Sequence, residues 1–128
     1  LGACSAEDVA VAVACPVVAR HPERQQVVVY GGAIHLSKDY LESGGRKMYG
    51  RVALPQGEGW GAPLDGAYVA ALSQEHGILY LPPESFEHVH LGDLVCILPA
   101  HSCLTVQVMG EYYTLQGERI TTLNRLSA

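Results

Sequence analysis

Residues 94–123 read LVCILPAHSCLTVQVMGEYYTLQGERITTL. Leu94 to Leu98 is an apolar, β-rich run stopped by Pro99. Leu104 to Met109, Glu111 to Leu115 and Arg119 to Leu123 follow, with Gln116-Gly117 as a hairpin turn between the last two. Together they predict a set of neighbouring strands. The same rhythm extends back along the chain. Val9, Val11 and Val13 alternate with alanines, a period of two, and Pro16 puts a kink or bulge into that strand. Gln26 to Tyr30 ends at Gly31-Gly32, and Met48 to Leu54, Ala67 to Ser73 and Ile78 to Leu81 complete the predicted strands. One weak helical stretch is expected over Ser37 to Ser43, and Pro55 to Leu64, with three Gly and two Pro, reads as an exposed irregular loop around Trp60. The expected fold is all-β: a small barrel or sandwich of seven to eight short strands with long loops, spanning residues 1–128 as one domain.

Composition agrees with one globular unit. The chain has 128 residues, 48% hydrophobic and 16% charged, a length that leaves no room for a second ordinary core. Its formal charge of −5 and the absence of long basic runs argue against nucleic acid and against a basic membrane-binding face. The longest apolar run, Val9 to Ala19, is interrupted by Pro16 and falls short of the roughly 20 residues a membrane-spanning helix needs. No basic n-region of a signal peptide precedes it. The first residue is Leu1, and the chain is read as a fragment of a larger protein. Four cysteines at irregular spacing, in a chain large enough to need no staples, are expected to be reduced thiols in the cytoplasm.

His101 and Cys103 form the sharpest chemical pair. Two residues apart on an extended backbone, they would point to the same side, and zinc accepts both nitrogen and thiolate. A strand-end histidine beside a core cysteine would look the same. His88-x-His90 has equal spacing and suits a cupin metal site or a solvated loop; the Glu and spaced glycines of a cupin motif do not follow it. Glu75-His76-Gly77 is either an acid beside a base or a turn with one exposed histidine. Nothing adjacent to His21 or His35 favours chemistry, and Cys96 reads as a buried small hydrophobe. Lys38 and Lys47 sit in polar turns, a poor setting for a Schiff-base lysine. No nucleophile triad, P-loop or dinucleotide fingerprint occurs.

In order, Gly31-Gly32-Ala33, Leu36-Ser37-Lys38-Asp39, Leu72-Ser73-Gln74-Glu75-His76-Gly77, Gly92-Asp93, Pro99-Ala100-His101-Ser102-Cys103 and Tyr112-Tyr113 resemble the D-serine dehydratases of the fold-type III pyridoxal-phosphate group. D-threonine aldolases and alanine-racemase-like proteins share the pattern. The resemblance runs from about Val9 to the end. It implies a β domain packed against an amino-terminal barrel that carries pyridoxal phosphate on a lysine outside this chain, in a homodimer acting on a D-amino acid. It also implies His101 and Cys103 as metal ligands, and His76 near the active site without an assigned role. Aldolases of the family tend to have Asp at the position of Cys103; a soft thiolate favours zinc, hence the dehydratase branch. Many relatives carry Asp where this chain has Tyr30, which leaves the substrate open.

The implied activity is zinc-assisted dehydration of a β-hydroxy D-amino acid such as D-serine to a keto acid and ammonia, with the fragment inactive alone. A different class of function is a non-catalytic β domain that dimerises or closes the active site of a racemase or aldolase. A free-standing cupin-type metalloenzyme would need further ligands near His88 and His90.

Overall fold

The computed structural model describes residues 10–121. Twelve strands, three short α-helices and one 3-10 turn (Pro22–Arg24) occur among them: β1 (Val13–His21), β2 (Gln26–Tyr30), α1 (Ala33–Leu36), β3 (Leu41–Ser43), β4 (Arg46–Met48), β5 (Gly50–Ala53), β6 (Pro55–Gln56), β7 (Gly59–Trp60), β8 (Tyr68–Leu72), β9 (His76–Tyr80), α2 (Pro83–Phe86), β10 (Leu94–Pro99), α3 (Ser102–Met109), β11 (Glu111–Tyr113) and β12 (Arg119–Thr121). Six strands close an antiparallel barrel in the order β1-β10-β5-β8-β9-β2. The expected all-β class holds, and of the two architectures it is the barrel. Closure leaves no strand edge of the main sheet unpaired.

Alternation explains which way each strand faces. Val27 and Val29 are buried in the core while Tyr30 points out to solvent. Cys15, Val17, Val52, Val69, Leu79, Val95 and Ile97 join them in the lumen, with Leu36, Leu81, Phe86 and Val89 in the same cluster. Strand β10 is buried on both faces from Val95 to Leu98, because α3 and β6 pack against it. Pro16 sits where β1 changes partner. Its last pair with β10 is Pro16–Leu94, and its first with β2 is Val17–Val29. The register slips between Val17 and Ala19, the irregularity that Pro16 predicts.

Four sequence expectations are corrected. Leu104 to Met109 is not a strand: it lies in helix α3, capped by Gly110 at φ 80. The helix is held there by docking onto α1 rather than by its β-branched residues' own preference. The helical turn expected over Ser37–Ser43 lies earlier, at Ala33–Leu36, and Leu41–Ser43 pairs with β4. Within Pro55–Leu64, β6 and β7 form a hairpin around Gly57 (φ 59), leaving Trp60 half-buried. Strand β1 pairs with β10 only from Val13 onward. The expected strand ends at Val9 and Leu123, and Cys4, lie outside the described residues. No helix among those described is long and apolar enough to cross a membrane.

Candidate metal centre

Two glycines fix the platform on which the site is built. Helix α1 starts directly over the β8–β9 turn, where Ala33 N–H donates to Ser73 O (2.8 Å) and Ile34 N–H to Gln74 O (3.1 Å). A Cβ on Gly32 would lie 2.5 Å from His76 N and 2.6 Å from Gln74 O, so only glycine lets the helix sit this close. The Gly-Gly turn and the Ser-Gln-Glu-His-Gly segment, 40 residues apart in sequence, are therefore one structural unit.

Helix α3 is pinned to the other end of α1. The Thr105 hydroxyl, 2% exposed, lies 3.0 Å from Leu36 O and 3.3 Å from His101 O. Beyond α1, Ser37 takes up φ 67 and ψ 177, a region costly for any residue but glycine. The chain turns there, and Ser37 Oγ accepts from the Asp39 amide at 3.3 Å. Asp39 Oδ2 then lies 2.9 Å from His101 Nδ1. A carboxylate only accepts, so Nδ1 carries the proton and the Nε2 lone pair is left for another partner.

The sequence placed His101 and Cys103 together on one extended strand, pointing the same way. That geometry is corrected. His101 is extended (φ −140, ψ 96) and precedes α3, whereas Cys103 belongs to the helix's first turn. Both side chains are exposed. Cys103 also lies on the wall of an open, mainly apolar cleft of about 1760 Å³, beside Val106, Met109, Tyr112 and Tyr113. The other described cysteines cannot serve. Burial, and secondarily Cys96, push the Cys15 thiol up to about 12, and burial raises Cys96 as well. All three described cysteines are free thiols.

His76 opens β9, exposed, with its ring 5.7 Å from Tyr30 in an edge-on contact; His35 meets the same tyrosine at 5.2 Å. His35 Nδ1 accepts from Gly32 N–H at 3.0 Å, so its proton sits on Nε2. This Tyr30, His35 and His76 cluster escaped sequence reasoning, as did Asp39. His88 and His90 flank buried Val89 on an exposed loop, and His90 is tied to Asp93. No group of three or more metal-ligating side chains occurs among the described residues, so His88 and His90 lack the further ligands a cupin site needs. Lys47 is spent on the Tyr40 ring (4.7 Å), and Lys38 is exposed.

Residues 10–115 match the family described as "Putative serine dehydratase domain". The chain belongs to that family. The dehydratase-family domain is 32% identical over 122 residues to D-serine dehydratase of Schizosaccharomyces pombe, covering 92% of this chain and 27% of that protein. Among solved structures it resembles an alanine-racemase-like protein of Idiomarina loihiensis (TM-score 0.77, 29% identity, 94% of this chain, 32% of that one). It also resembles D-threo-3-hydroxyaspartate dehydratase of Delftia sp. HT23 (TM-score 0.76, 27% identity, 94% of this chain, 33% of that one). The domain thus spans between about a quarter and a third of the length of these relatives. Structures of the Delftia enzyme include a histidine-to-alanine mutant and, two positions along, a cysteine-to-alanine mutant in the metal-free form.

Proposed function

We propose that this chain is the carboxy-terminal β domain of a zinc- and pyridoxal-phosphate-dependent lyase that dehydrates a β-hydroxy D-amino acid. The observation that carries the reading is His101. Its Nδ1 is engaged by Asp39 and its Nε2 lone pair is free, two residues from the one exposed described thiol. The metal-free cysteine mutant of the Delftia dehydratase, with its mutated histidine two positions away, supports the same pairing here. The donor set fits zinc. One imidazole nitrogen and one thiolate are ordinary zinc ligands, and two protein ligands leave positions for water and substrate. Pyridoxal phosphate finds no comparable fit among the described residues. Lys47 caps a tyrosine and Lys38 lies on an open turn, so the cofactor's lysine is assigned to the preceding part of the longer chain.

When bound, zinc supplies Lewis-acid polarisation of the substrate hydroxyl. The chain's own residues do the rest of the local work. His101 and Cys103 would hold the ion, and Asp39, bonded to Nδ1, would leave Nε2 as the ligating nitrogen. His76, at the start of β9, is packed edge-on against Tyr30 and held by the Ser73 bonds to its backbone. By itself the domain is expected to be inactive.

Zinc content of the purified protein tests the reading. One equivalent in the wild type, lost in His101→Ala and in Cys103→Ala, is the expected result. Content unchanged in both variants would overturn it, and loss on changing His88 and His90 instead would move the site.

A second reading, a domain that dimerises or closes an active site without metal, is favoured by the cleft lined by α3 and β11. Met109, Tyr112, Tyr113 and Leu115 leave a large apolar surface exposed there. A zinc-free, stable dimer in sedimentation would favour the second.

A further inference from the structure

We propose that Asp39 is a positioning residue of the metal centre, fixing His101 in the tautomer that can ligate zinc; this rests on the metal reading above. The two residues are 62 positions apart, yet Asp39 Oδ2 meets His101 Nδ1 at 2.9 Å. Asp39 is itself held in place. Its amide donates to Ser37 Oγ (3.3 Å), and its second carboxylate oxygen accepts from Tyr40 N–H at 3.1 Å. The segment bearing it is fixed in turn, because the Thr105 hydroxyl donates to Leu36 O (3.0 Å) while the Thr105 amide donates to His101 O (3.2 Å). Carboxylate and imidazole are thus referenced to one rigid junction between α1 and α3.

Stability does not explain the pair. The two side chains are 45% and 48% exposed, and such surface pairs contribute little to folding. A carboxylate behind a ligating histidine has another effect: it orients the ring, selects the Nδ1–H tautomer and makes Nε2 a better donor. The other described histidines with polar partners lack this arrangement. His35 is locked in the opposite tautomer by Gly32 N–H. His21 is 3.8 Å from Glu23, and the His90 ring is 3.4 Å from an Asp93 oxygen that also accepts the His90 amide. Only His101 combines a 2.9 Å carboxylate contact with a neighbouring exposed thiol.

The test compares wild type, Asp39→Ala and Asp39→Asn by two readouts. Nitrogen-15 NMR, recorded where the imidazole is neutral, reports the His101 tautomer. Competition against a chromogenic chelator reports zinc affinity. Wild type and Asp39→Asn should show Nδ1–H, since an amide oxygen still accepts, whereas Asp39→Ala should revert largely to Nε2–H. Zinc affinity should fall by about 10–100-fold in Asp39→Ala and less in Asp39→Asn. The urea midpoint should stay unchanged in both. An Nε2–H tautomer in the wild type, or Asp39→Ala affinity within about twofold of it, would overturn the role of Asp39. A wild-type protein that takes up no zinc would refute the metal centre itself, a separate outcome.

Discussion

Replacing Thr105 by valine should destabilise the domain by about 1–3 kcal/mol, the cost of leaving a buried polar group without its partner. Valine has nearly the same volume as threonine, so no cavity opens and the change isolates the hydroxyl. That hydroxyl is 2% exposed and lies 3.0 Å from Leu36 O, a carbonyl at the end of α1 where no further helical amide follows. With a urea dependence of about 2 kcal/mol per M, a loss of about 2 kcal/mol lowers the unfolding midpoint by roughly 1 M. Thr105→Ser keeps the hydroxyl and removes one methyl, so it should lose only about 1 kcal/mol. Equilibrium urea unfolding followed by the Trp60 fluorescence measures both. A valine midpoint within about 0.2 M of wild type, or a serine variant as damaged as the valine one, would refute the claim that this hydroxyl joins α1 to α3.

Gly32→Ala should force α1 off the β8–β9 turn, because the new methyl group meets the backbone at 2.5 Å; a loss of about 1–3 kcal/mol is expected in thermal or urea unfolding. Among the described cysteines, iodoacetamide should label Cys103 in the folded protein while Cys15 and Cys96 stay unreacted, and zinc should slow labelling of Cys103; peptide mass mapping reads both. Alkali should weaken the fold. The folded Cys15 thiol is pushed up to about 12 from an ordinary 9.0, so its contribution is whole below pH 9 and is lost as pH climbs from 9 toward 12. The loss is of order 1 kcal/mol per pH unit, and Cys15→Ser should flatten that slope in urea midpoints measured from pH 8 to 11.

Much of the barrel was legible because its strands carry their own signals. Gln26–Tyr30 is a β-branched run stopped by Gly31-Gly32, and the structure has β2 over the same residues. Leu94–Leu98 differs from β10 by one residue, and Gly117, at φ 91, turns the hairpin predicted for it. Helix α3 was not legible as a helix. Val106 and Val108 favour strands, and one buried residue, Thr105, gives no helical stripe to read. The available cue was Gly110, placed one residue past the last helical position, where glycine ends helices. Helix α1, four residues long, lies below the length at which periodicity speaks; its place is set by contacts with Ser73 and Gln74. At the site, local spacing suggested His101 and Cys103 but gave them the wrong backbone. Asp39 lies 62 residues away, and its pairing with His101 comes from the docking of α1 on α3, which no local pattern encodes.

X-ray absorption at the zinc edge of the metal-loaded protein tests the proposed centre most directly. Coordination by His101 and Cys103 predicts one sulfur at about 2.3 Å and one imidazole nitrogen at about 2.0 Å, with oxygen filling the remaining positions. A first shell of nitrogen and oxygen alone would contradict it and take Cys103 out of the site.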